Sequence, residues 1–124
     1  MRTGVVVFAH GSRIESANEA VRAVAADLAR ATGNRDVLAA FLELGDPSLE
    51  AAADRLAAAQ VDRLVILPYF LTLGLHMDRD LPRIVQQISQ AHPGLDVLVA
   101  PPLDGHPALV EILAARLSDA VSGK

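Results

Sequence analysis

Four short apolar runs alternate with four longer amphipathic segments, and this alternation confines the chain to βα units built on a parallel sheet. The first run, Gly4 to Ala9, is rich in valine and carries no charge, as a central strand buried on both faces requires. Asp36 to Phe41, Arg63 to Leu67 and Val97 to Ala100 read as the other strands. Between them, Val21, Val24 and Leu28 recur at helical spacing in a first helix that starts near Ile14 or Ser16 and is stopped by Gly33-Asn34. A second helix is expected to open with Asp46 as N-cap and Pro47 at its first position. The third is expected to start between Asp78 and Pro82, turning Leu81, Ile84, Val85 and Ile88 inward. The fourth begins near His106-Pro107, with Leu109, Ile112, Leu113 and Leu117 as its expected inward face. The fold class is therefore α/β, a single open parallel four-stranded sheet flanked by helices.

A chain of 124 residues with 52% hydrophobic content fits one compact domain, and residues 1–124 are read as one because no linker-like tract divides them. The net charge of −4 is carried without any basic stripe interleaved with aromatics, so nucleic acid is not an expected partner. The absence of cysteine excludes disulfides and thiolate metal sites, leaving nitrogen and oxygen donors for any metal. No run approaches the length of a membrane span, and the first apolar run is too short for a signal peptide. The expectation is a cytoplasmic protein with no membrane partner.

Chemistry-bearing residues follow the strands. His10 comes directly after the first run, and His76 lies in the polar, Gly-containing stretch that follows the third, expected as a loop. If both runs are parallel strands, both imidazoles emerge at one sheet edge, where open α/β sheets bind ligands, and strands one and three flank the topological switch point. Glu43, just beyond the second strand, leaves at the same edge. Two imidazoles and a carboxylate suit a divalent metal. Each has an ordinary alternative: His10 satisfied by backbone in a capping turn, Glu43 a solvated loop carboxylate, Asp78 and Asp80 first-turn residues of helix three favoured by its dipole. Asp80 or Asp78 would otherwise orient His76, and Gly74 would allow an unusual backbone angle. Ser12 is a candidate helix cap; His92 reads as a surface residue at the opposite edge, and His106 as a capping residue or a further member of the site. A phosphate-binding loop is poorly supported, since one glycine and no lysine follow the first strand. A histidine-nucleophile phosphoryl transferase would want arginine just before His10-Gly11, where Phe8 and Ala9 stand.

Four segments in order, His10-Gly11-Ser12-Arg13, Ala40-Phe41-Leu42-Glu43 with Pro47-Ser48-Leu49, Pro68-Tyr69-Phe70-Leu71 with Gly74, His76, Asp80 and Pro82, and Pro101-Pro102-Leu103 with His106-Pro107, resemble the small CbiX/SirB-type class II chelatases. The resemblance spans nearly the whole chain. It implies an enzyme of cobalamin or sirohaem biosynthesis, a lyase-type chelatase that inserts Co²⁺, or else Fe²⁺ or Ni²⁺, into sirohydrochlorin or a related tetrapyrrole. The metal is then a substrate and no prosthetic group is expected. The resemblance also implies a homodimer whose two units face one another across the cleft that longer chelatases build within one chain. His10, His76 and Glu43 would be both metal ligands and catalytic residues, with Asp80 behind them. Ser12, Arg13, Phe70, Leu71, Gly74, Arg79 and Arg83 would bind the tetrapyrrole, the arginines taking its carboxylates and the apolar loop from Tyr69 to Leu75 its face. A non-catalytic metal or tetrapyrrole carrier and a plain α/β dimerisation module are the alternatives.

Overall fold

A computed structural model describes residues 1–123, and of His76 its backbone only. The elements alternate as expected: β1 (Thr3–Ala9), α1 (Glu15–Thr32), β2 (Val37–Phe41), α2 (Leu49–Ala58), β3 (Arg63–Pro68), α3 (Leu75–Ala91), β4 (Asp96–Val99) and α4 (Ala108–Val121). The strands form one all-parallel sheet in the order β2-β1-β3-β4. The chain leaves β1 toward β2, then crosses back to place β3 on the other side of β1. The switch point therefore lies between β1 and β3, where the positions of the two histidines had put it.

Alternation along each strand divides the interior in two. Val6, Phe8, Leu64 and Ile66 point to one face, where α2 and α3 cover them with Leu49, Ala52, Leu56, Met77, Leu81, Ile84 and Ile88. Val7, Ala9, Ala39 and Phe41 point to the other, against Val21 and Ala25 of α1. Burying both faces explains why β1 carries no charge. α1 ends on Gly33 at φ 68°, the left-handed conformation that glycine adopts without steric cost. No described helix is long and apolar enough to cross a membrane.

Two helix boundaries and one helix face differ from the sequence reading. α2 is capped by Ser48, whose Oγ accepts the Ala51 amide at 3.1 Å, rather than by Asp46. Phe41 donates its amide to the Pro47 carbonyl at 2.9 Å and bridges to Ser48, so residues 47 and 48 stay extended beside β2 and the helix waits until Leu49. α3 starts at Leu75, ahead of Pro82, which lies within it and has no N–H to donate to the preceding turn. Met77, Leu81, Ile84 and Ile88 repeat at helical spacing and are all buried, so the apolar stripe extends the helix toward its N-terminus. α4 departs furthest from expectation. Ile112, Leu113 and Leu117, assigned to its inward face, are between 52 and 68% exposed, and Leu109 is half-buried.

At the edge opposite the switch point, Arg2 clamps Asp36 with two hydrogen bonds, Nε at 2.8 Å and Nη2 at 3.0 Å, tying the start of β1 to the entry of β2. The Arg2 hydrogen bond holds the Asp36 carboxyl below the usual carboxylate range, against a smaller opposing effect of burial. A depressed folded-state pKa contributes stability above the unfolded value of about 4, and that contribution disappears as pH falls through the folded value. In urea titrations over an acid series, the stability gap between the native chain and Asp36→Asn should shrink as pH falls below about 4. A gap that stays constant to pH 2 would contradict this linkage.

Candidate functional site

Loops leaving β1, β2 and β3 meet at the carboxyl end of the sheet, fastened chiefly through their backbones. The Leu42 amide donates to the Ala9 carbonyl at 3.0 Å, the Glu43 amide to the His10 carbonyl at 3.1 Å, and the Tyr69 amide to the Phe8 carbonyl at 2.7 Å. These bonds continue the sheet ladder past the strand ends, so the residues after the strands emerge side by side. Gly11 turns the chain away at φ 94°, and a Cβ placed there would lie 1.7 Å from the Glu43 carbonyl oxygen. Only glycine permits this approach.

Asn18 holds the same two loops together from beneath and was missed in the sequence. Its side chain is buried; Oδ1 accepts the Ser12 amide at 2.9 Å, and Nδ2 donates to the carbonyls of Ser12 and Leu44, each at 2.9 Å. Gly45 packs against the same side chain, its hypothetical Cβ 3.1 Å from Nδ2 and 2.8 Å from Phe41 Cγ. The available signal was an asparagine at the core-facing position one turn before Val21, where an apolar residue would be ordinary.

His10 is exposed at the tip of β1, with its ring against Phe70, centroids 4.9 Å apart and planes inclined by 43°. Phe70 in turn meets Phe8 edge-on at 6.4 Å and packs on the core, giving the imidazole an apolar floor. Glu43 is exposed, its backbone joined to that of His10. His76 belongs to the first turn of α3 instead of a loop, and its side chain lies outside the described residues. Among the described residues no group of three His, Asp or Glu side chains gathers at metal-holding distance; of the three expected ligands, these residues include the side chains of His10 and Glu43.

The remaining expected residues divide into a rim and a scaffold. Arg13 and Leu71 are exposed, the latter by 60%, while Phe70 and Leu73 tuck into the core; the apolar loop thus offers some side chains to solvent and anchors itself with others. Arg79 and Arg83 stand on α3 with Asp80 between them, Arg83 Nη2 at 3.4 Å and Arg79 Nε at 3.8 Å from its carboxylate. Position 80 is one turn beyond position 76, the spacing that brings residues onto one face of a helix. Ser12 is not a helix cap: its Oγ accepts the Ile14 amide at 3.0 Å within the turn, and α1 starts at Glu15. Gly74 precedes α3 with φ −69°, so no unusual backbone angle is needed there. His106 serves as a local cap, accepting the Ala108 amide on Nδ1 at 3.0 Å. His92, read as a surface residue, is half-buried at the far end of α3, with Nε2 2.7 Å from Asp54. An apolar hollow of about 340 Å³ between α3 and β4, lined by Leu73, Met77, Leu81, Val85 and Val99 among others, lies on the flank of the sheet.

The CbiX family model matches residues 4–120. The sirohydrochlorin cobaltochelatase of Sulfurisphaera tokodaii is 30% identical over 116 residues, covering 94% of this chain and 92% of that protein. A second sirohydrochlorin cobaltochelatase, from Methanothermobacter thermautotrophicus, is 26% identical over 135 residues, covering 97% of this chain and 94% of that protein. Among solved structures, the sirohydrochlorin chelatase SirB of Bacillus subtilis subspecies spizizenii, in complex with cobalt, superposes with a TM-score of 0.84 at 21% identity. That likeness covers 96% of this chain and 51% of SirB, so this chain spans about half the length of SirB.

The loop lock leads to a graded stability prediction. Gly11→Ala must satisfy both a left-handed backbone and the Glu43 carbonyl, whereas Gly33→Ala, with nothing within 4 Å of its new Cβ, meets only the backbone penalty of roughly 1 kcal/mol. Urea unfolding should therefore rank Gly11→Ala as clearly the more damaging, and equal losses would contradict the close approach. Asn18→Ala strands the Ser12 amide and the Leu44 carbonyl and should cost about 1–3 kcal/mol; a change within a few tenths would show that the hub does not hold the loops.

Proposed function

Because the chain belongs to the CbiX family, we propose that it is a chelatase inserting a divalent metal, Co²⁺ in the first instance, into sirohydrochlorin. The observation that carries this reading is the match of the family model to residues 4–120, a span that takes in every one of the loops around the switch point. Fe²⁺ and Ni²⁺ remain chemically acceptable to imidazole and carboxylate donors. The name cobaltochelatase borne by the two relatives supports cobalt.

The reaction sets the requirements. The free-base macrocycle carries two pyrrole N–H protons; as M²⁺ enters from one face, both leave, and the metal exchanges its water ligands for four ring nitrogens. Charge and atoms balance when two protons reach solvent for each metal inserted. Neutral imidazole can hold a borderline metal and accept a proton near neutral pH, so His10 and His76 are assigned both tasks. Glu43, joined to His10 through the backbone, would partly neutralise the incoming metal and carry protons outward. Asp80 would steady His76 from one helical turn away. The macrocycle would lie on Phe70, Leu71 and the turn at Gly74, with Ser12 at its edge and Arg13, Arg79 and Arg83 receiving its carboxylates. One unit supplies one wall of such a cleft. A second copy would supply the facing wall.

Initial rates of cobalt insertion, followed by the change in macrocycle absorbance, test these roles. His10→Ala and His76→Ala are each expected to lower the rate by about 10²-fold or more, the scale of lost proton transfer by a positioned side chain, with Glu43→Gln showing a smaller loss. Native circular dichroism in each variant would separate lost chemistry from lost fold. Rates unchanged in both histidine variants would contradict the assignment. Arg13→Gln should raise KM for the tetrapyrrole while leaving kcat near its native value; the reverse pattern would place Arg13 in the chemical step.

A further inference from the structure

Among the described residues, two of the apolar surfaces left open are complementary in kind. The first is α4, where Val110, Ile112, Leu113, Leu117 and Val121 are between 52 and 81% exposed along a 14-residue helix. A helix so apolar does not stand in water unless something covers it. The second is the α1 side of β3 and β4. Val5 pairs in register with Val65, Val7 with Leu67, and Val65 with Leu98, so Val65, Leu67 and Leu98 share the face that α1 buries over β1 and β2. Leu98 is 44% exposed there, and Val65 and Leu67 are half-buried. Parallel sheets are covered on both faces, and this half of one face lacks its helix.

Building on the reading that two copies form the cleft, we propose that they exchange their last helices, each α4 lying across the β3–β4 face of the other copy. The dimensions agree: α4 is about 21 Å long at 1.5 Å per residue, and the six residues of β3 span about 20 Å. The connection to α4 explains why the helix stands away from its own sheet. The Leu103 and Asp104 amides are fastened to the carbonyls of Phe70 and Leu71 at 3.1 and 2.8 Å, and only Gly105, His106 and Pro107 separate this anchor from the first turn.

The lack of cysteine makes a direct test possible, since any disulfide must come from introduced residues. Leu98→Cys and Leu113→Cys copies are co-expressed, oxidised and separated without reductant. Exchange predicts a covalent pair containing one copy of each variant, while Val99→Cys, on the opposite sheet face, fails to couple to Leu113→Cys. Sedimentation of the native chain is expected to give twice the chain mass, and Leu113→Asp with Leu117→Asp to halve it. A disulfide confined within single chains of the Leu98→Cys, Leu113→Cys double variant would show α4 folded onto its own sheet. Coupling of Leu113→Cys only to itself would show α4 packed against α4. Either result, or no coupling in a chain that sediments as a dimer, overturns the exchange while leaving pairing intact. A native chain that sediments as a monomer overturns both, and metal insertion by that monomer would leave the chelatase reading standing.

Discussion

A parallel sheet has no face it can leave to water, and most of this structure follows from that constraint. Its hydrogen bonds run between strands that are reached only by crossovers, so helices must lie on both sides and apolar side chains must point both ways. β1 meets the demand fully, with Val6 and Phe8 under α2 and α3, and Val7 and Ala9 under α1. β4 does not: its leucine and valine are exposed, and the apolar side chains of α4 are open as well. The same constraint that builds the core therefore predicts that a single copy is incomplete.

The arrangement of strands also explains why chemistry collects at one edge. Because β1 lies between β2 and β3, the chain departs on opposite sides of it, and a crevice opens where the loops diverge. What keeps that crevice in shape is mostly backbone: the Glu43 amide on the His10 carbonyl, the Gly11 turn pressed against Glu43, and Asn18 spanning the loops below. Such a scaffold leaves His10, Glu43 and Arg13 exposed and available for a ligand. Exposure suits the proposed role, in which the crevice would admit a large macrocycle and a hydrated cation and release protons to solvent.

Much of this was legible in the sequence because burial writes a strong signal. The uncharged run from Gly4 to Ala9 locates the central strand, and the positions of His10, Glu43 and His76 relative to three strands put them at one edge. The misreadings share a cause, since sequence punctuation competes with tertiary packing. Pro82 looked like a helix start, yet burial of Met77 carries α3 past it. Asp46-Pro47 looked like a cap, yet pairing of Phe41 with residues 47 and 48 delays α2. Asn18 hid within an amphipathic helix because an isolated polar residue there looks like solvent-facing composition. In α4 the periodicity identified an apolar stripe correctly but carried no information about what the stripe would meet.

The loops at the β1–β3 switch point are proposed to form a site that metallates a macrocycle catalytically. The most direct measurement is sustained insertion of Co²⁺ into excess sirohydrochlorin, counting metallated product by absorbance and released protons by a pH indicator in weak buffer. Catalysis there is expected to give product far in excess of the protein present, with two protons released per metal inserted. Product that stops at one equivalent per chain, or macrocycle that stays metal-free, would contradict it.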